Sequence, residues 1–208
     1  KAAYTGKSQS SNAESITVIV DVNGQEVSQT FWVTNKDGGN TYKTKTGKDA
    51  LLGGYDDMDQ FSLLTAGVPL NEVDFEDKIV KIYNFDKKAD EEVSRPTMVD
   101  VIGEKITVAI QRIKQNKREK NDDGEYVNKA DTYESNEIVK FFQDETDLTV
   151  EEIKSGLEKA DFVHRWDEKY SGQVYDKSVE VTGKPGAPKT GAPAPKPAGA
   201  TGMFKKKS

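Results

Sequence analysis

The stretch SITVIVDVNGQEVSQTFWVT, residues 15–34, constrains this chain more than any other. Ile16, Val18, Val20 and Val22 recur at every second position, and Val27, Phe31 and Val33 resume the apolar side with Gln29 interrupting it. A period of two puts such residues on one face of a strand. Between the two runs stands Asn23-Gly24, a pair that accepts positive φ at both centres of a tight type I′ turn. A β-hairpin is expected, and with it a sheet around which the rest of the chain must organise.

Further strands are expected in KIVKIYNFD, in TMVDVIGEKITVAIQRIK with a bend near Gly103, and in EYVNKADTYESNEIVKFF with a break or bulge in its middle. NKDGGNTYKTKTG has turn chemistry around a short extended piece carrying Tyr42, Lys43 and Lys45. In DDMDQFSLLTAG, Met58, Phe61 and Leu64 or Leu63 have helical spacing, Asp56, Asp57 and Asp59 suit a helix N-terminus, and Gly67 is a stop. The spacing of Thr149 and Glu152 is that of a capping box. After it, Ile153, Leu157, Ala160, Val163 or Phe162, and Trp166 predict one amphipathic helix running to Gly172. Four or five strands with a helix between the third and fourth match the element order of an OB-type barrel. The expectation is a mainly β chain with minor α: an OB-like five-stranded barrel, one inserted helix, one C-terminal helix and a tail.

Three regions follow from the patterning. Residues 1–14 lack periodicity and read as a flexible arm, 15–181 as the folded domain, and 182–208 as a disordered tail of Gly, Ala, Pro and Lys that cannot bury a core. No apolar run approaches the length of a membrane span, so a soluble chain is expected. With no cysteine and a single histidine, His164, thiolate zinc sites and Cys-His or Ser-His-Asp catalysis lack their parts. TGKDALLGG has the glycines and lysine of a phosphate loop in the wrong order. Neither an enzyme nor a cofactor or metal requirement is expected, and the three aspartates are assigned to the helix dipole.

The charge pattern is more specific. Net charge is -6, yet residues 105–120 hold Lys105, Arg112, Lys114, Lys117, Arg118 and Lys120 against Glu119 alone. Ile106, Val108 and Ile110 should face the core, and the same face continued outward carries Arg112 and Lys114, so the strand becomes basic as it leaves. With Tyr42, Tyr126 and Tyr133 beside it, such an arm fits single-stranded nucleic acid: cations follow phosphates and aromatic faces stack bases of any sequence. The competing reading is a solvated hairpin tip with ordinary surface lysines. Phe31, Phe61, Phe85, Phe141 and Trp166 are assigned to packing.

The blocks KTGKDALLGGYDDMDQFSLLTAG, KIVKIYNFD, MVDVIGEKITVAIQRIKQNKREKNDDGEYV, ESNEIVKFF and ADFVHRWDEKYSGQVYDKS resemble successive blocks of the single-stranded DNA-binding proteins of tailed bacteriophages, over roughly residues 30–180. The resemblance implies a protein that coats replication or recombination intermediates in the cytoplasm of a bacterial host. Arg112, Lys114, Lys117, Arg118 and Lys120 would then neutralise phosphates, Lys43 and Lys45 extend the track, and Tyr42, Tyr126 and Tyr133 stack bases. Many such binders end in an acidic tail that recruits partner enzymes; this chain ends in GMFKKKS, where Met203 and Phe204 are the candidate docking tip for replication or recombination proteins. A homo-oligomer is compatible with this reading. The rival expectation is a virion structural or assembly protein whose arms and tail thread between subunits.

Overall fold

A computed structural model describes residues 1–84, 87–122 and 124–181. The expected hairpin forms as β2 (Glu14–Val22) and β3 (Gln25–Trp32), paired from Ser15 opposite Trp32 to Val22 opposite Gln25. Asn23 and Gly24 take φ of 52° and 83°, the positive values that a type I′ turn requires at both centres. Ile16, Val18 and Phe31 are buried and face the core.

The first residues are not a flexible arm. Ala2–Lys7 forms β1, which pairs with β2 along its whole length and occupies the middle of a five-stranded antiparallel sheet of order β3-β2-β1-β7-β6. Ala3 and Tyr4 are buried. The sequence AAYTGK shows no apolar alternation because its contribution to the core is one methyl group and one ring, so only its partners reveal it as a strand.

β6 (Phe75–Asn84) pairs residue for residue with β7 (Ala89–Met98). Of β7 only the end, Thr97 and Met98, falls within an expected strand. Its sole bridge to β1 is Thr97 opposite Tyr4, so Pro96, which has no N–H to donate, sits where the second side of the strand is nearly free. The expected bend near Gly103 is a full break: β7 ends at Met98, and β8 (Ile106–Lys120) starts a second sheet. β8 pairs with β9 (Tyr126–Gln143) on one side and with the short parallel β10 (Val174–Asp176) on the other. A small ribbon of β4 (Thr41–Lys43) and β5 (Asp49–Leu51) completes the ten strands among the described residues. The chain is mainly β, and its strands form open sheets of five, three and two in place of one five-stranded hydrogen-bonded ring.

Helix α1 (Gly53–Thr65) starts before the aspartates, so only Asp56 lies in its first turn. Asp59 instead accepts the Leu70 N–H at 2.8 Å, and Asp56 accepts from Gln60 Nε2 at 2.8 Å. The helix presses Met58 and Phe61 into the core, where the rings of Phe31 and Phe61 stand 5.8 and 5.1 Å from that of Phe141. Its close approach to β3 depends on Gly54: a Cβ there would stand closer than 3.0 Å to the Trp32 carbonyl oxygen and amide nitrogen.

Gln29, which interrupted the apolar pattern, joins the two sheets. β9 carries one extra residue where the register shifts between Ala109 and Ile110, and beside it Ile138, on the edge of the three-stranded sheet, offers its backbone to a partner outside that sheet. The Gln29 carboxamide answers both groups, accepting the Ile138 N–H at 2.5 Å and donating to its carbonyl at 3.0 Å. A polar residue on an apolar face here takes the place of a missing strand partner.

The expected C-terminal helix is two. The capping box at Thr149 and Glu152 forms, but α2 (Val150–Lys154) stops at Gly156, which adopts φ of 70° while Leu157 N–H reaches back to the Glu152 carbonyl at 3.0 Å. α3 (Phe162–Tyr170) follows as a separate helix. Ile153 and Leu157, placed on the buried stripe, are more than two-fifths exposed. Glu152 organises the junction. Its carboxylate accepts from the Thr149 N–H and hydroxyl and from the Asp161 and Phe162 N–H groups, at 2.8 to 3.0 Å. Burial alone pushes this carboxyl up, but the bonds from Thr149, Phe162 and Asp161 together outweigh it and hold the pKa at about 2.

Candidate nucleic-acid interface

The β8–β9 ribbon is the projecting arm. At its base Ile106, Val108 and Ile110 pack against the core, and Arg112 is exposed, so the strand leaves the interior as it turns basic. Strand alternation carries that face outward through Lys114, Arg118 and Lys120, with Tyr126 opposite Lys120. Tyr133 pairs opposite Gln115 and belongs to the other face, where its hydroxyl accepts from Gln115 Nε2 at 2.8 Å. Lys117 lies at a second irregularity, at which Asn116 pairs with Thr132 and Arg118 with Asn128.

Register also brings in the acids that the linear charge count left out. From Ile106 to Gln143 the ribbon holds seven cations (Arg112, Lys114, Lys117, Arg118, Lys120, Lys129, Lys140) and seven acids (Glu119, Asp122, Asp123, Glu125, Asp131, Glu134, Glu137), a net of zero. Near the base the cations are engaged: Arg112 Nε is 3.9 Å from Glu134, and Lys114 Nζ is 3.3 Å from Asp176. The Ser178 hydroxyl and N–H, more than Lys114, hold the Asp176 carboxyl below the usual range. Lys129 neutralises Glu119 at 2.9 Å, and Lys177 neutralises Glu137 at 3.3 Å.

The distal end differs. Among the described residues no carboxylate lies within 4.0 Å of Lys117, Arg118 or Lys120. Arg118 donates to the Tyr126 carbonyl at 3.1 Å, and its guanidinium and the Lys120 ammonium stand 5.8 and 5.5 Å from the centre of the Tyr126 ring. That ring is 58 % exposed. Two cations and one π-face thus converge at the tip.

The other named residues lie elsewhere. Tyr42 and Lys43 are on β4, Lys43 is paired with Asp49 at 2.8 Å, and Lys45 is exposed in the turn that follows. No hydrogen bond, ion pair or ring contact joins this ribbon to β8 or β9 among the described residues. Met203 and Phe204 fall outside the described residues, as does Phe85. His164 is exposed on α3.

One feature escaped the linear pattern. α3 lies over the ribbon face opposite the core, as the 6.1 Å contact of Phe162 with Phe142 shows, and between it and β8 opens a cleft of about 440 Å³. Trp166, assigned to packing, and Tyr170 line it, with Arg112, Gln111 and Val174. Gln111 is 7 % exposed, and its Nε2 has no hydrogen-bond partner. Two signals were available in the chain: an aromatic pair four residues apart on one helix, and a glutamine between Ala109 and Ile113 on the strand face opposite Ile106, Val108 and Ile110.

No protein-family model, no curated protein and no solved structure matches this chain.

Proposed function

We propose that the chain binds single-stranded DNA without sequence preference and without catalysis, as a coat on replication or recombination intermediates in a phage-infected bacterial cytoplasm. The observation that carries this reading is the tip of the β8–β9 ribbon, where Arg118 and Lys120 stand over the exposed Tyr126 with Lys117 beside them in the chain, none of the three paired with a carboxylate among the described residues. Cations beside the ring offer a phosphate track next to a stacking surface. In this reading the fold is an open OB-like barrel: the Gln29 bridge stands in for strand pairing between the two sheets, and the ribbon is an extended loop between late strands. The aromatic cleft beneath α3 extends the track toward the base. Tyr133, Lys43 and Lys45 become secondary contacts, and Met203 and Phe204 remain a docking tip for partner proteins.

Salt dependence tests this quantitatively. Neutralising Z phosphates on a single strand gives a slope of about -0.7Z in log affinity against log salt. Three distal cations give about -2, whereas a wholly basic arm with Lys43 and Lys45 would give about -5. Fluorescence titration with oligo-dT is expected to show the shallower slope, and Tyr126→Ala to weaken binding by about 1 to 3 kcal/mol. Absence of oligo-dT binding at low salt rejects the proposal. The rival, a virion structural or assembly protein, draws on one observation: the exposed apolar edge of β6. Large symmetric particles forming without DNA, together with no oligonucleotide shift, would favour it.

A further inference from the structure

β6 is a free edge of the five-stranded sheet, and one face of it presents Phe75, Asp77, Ile79, Lys81 and Tyr83. Ile79 is 66 % exposed, Phe75 38 % and Tyr83 49 %. Among the described residues neither Asp77 nor Lys81 has an ion pair within the chain. Read outward from Ile79, the stripe is self-complementary: acid on one side and base on the other, then an aromatic ring at each end.

We propose that β6 pairs antiparallel with β6 of a second copy about a two-fold axis at Ile79, joining two five-stranded sheets into one of ten strands. An axis perpendicular to the sheet sets its central residue opposite itself and keeps each face on the same side. Ile79 then meets Ile79, Asp77 meets Lys81 twice, and Phe75 meets Tyr83 twice. Neighbouring registers are worse. An axis at Lys78 opposes that lysine to itself and sets Asp77 against Ile79; one at Val80 sets Ile79 against Lys81 and Asp77 against Tyr83. On the reverse face Lys78 falls against Val80 and Glu76 against Ile82, but these two charges already answer each other at 2.6 Å. Charged residues on an edge strand ordinarily prevent such pairing by repulsion. Here the two exposed charges attract in the self-paired register, so they select it.

Sedimentation velocity of the full chain tests the pairing, and the chain's lack of cysteine makes crosslinking clean. The wild type is expected to dimerise in the micromolar range. Asp77→Lys alone and Lys81→Asp alone place like charges together and should each weaken the dimer by at least about tenfold, while the two combined restore it. Ile79→Cys should form an intermolecular disulfide on mild oxidation, because paired strands hold opposed Cα atoms about 4.5 to 5.5 Å apart, within disulfide reach. Lys81→Cys should not, being about 13 Å from its own copy. All of these side chains are exposed, so circular dichroism should find each variant folded. A wild type that stays monomeric throughout the micromolar range, a double swap that does not recover, or a dimer in which Ile79→Cys fails to crosslink would overturn the assignment.

Discussion

Asp57 and Glu152 are carboxylates that their surroundings push in opposite directions. Burial, with the neighbouring Asp56 charge, raises Asp57 to about 6, and Lys140 opposes this only in part. An acid whose folded pKa lies above its unfolded value of 3.8 penalises the fold once ionised, so its contribution worsens as pH rises from about 4 to 6. Asp57→Asn is therefore expected to stabilise the protein by about 1 to 2 kcal/mol at pH 8 and by nothing at pH 3.5, measured as a shift in thermal midpoint. Glu152 has the opposite sign. Its contribution is whole above its unfolded value of 4.5 and is lost as pH falls toward about 2. The Thr149 and Glu152 cap was legible because its spacing is local. The perturbation of Asp57 was not, since Lys140 lies far away in sequence and burial belongs to the packed state.

Among elements, the arm depends on how β9 departs from regular pairing. Asn116 is buried at the second irregularity, where its Nδ2 donates to the carbonyls of Lys129 at 2.8 Å and Val179 at 3.1 Å while its Oδ1 accepts the Val179 N–H at 2.7 Å. One side chain thus fills the gap in β9 and fastens the segment after β10 along β8. Asn116→Ala should cost about 1 to 3 kcal/mol, because buried backbone groups are left without partners. It should also release residues 174–181, read as faster amide exchange there with β2 and β3 unchanged. A break or bulge was expected in EYVNKADTYESNEIVKFF from its interrupted pattern. Its two sites, and the glutamine and asparagine that fill them, required the register.

For the molecule as a whole, the N-terminal strand is the test of what holds the sheet together. β1 lies between β2 and β7, so deleting residues 1–7 exposes the inner edge of β2 and removes the Tyr4–Thr97 bridge that ties the β6–β7 ribbon to the sheet. Such a truncation should unfold or aggregate, with loss of the cooperative thermal transition, whereas a flexible arm could be removed without effect. By itself the sequence determined what rests on short-range stereochemistry: the Asn23-Gly24 hairpin, the body of α1, the capping box, the strand that turns basic as it leaves the core, and a mainly β chain. Tertiary structure alone decided the place of β1, the split of the C-terminal helix, the joining of the sheets by Gln29 and which cations of the arm are paired with carboxylates. Each of these turns on which distant residues become neighbours. A lysine run has one electrostatic meaning in isolation and another when register sets Glu134 and Glu137 across the ribbon from it.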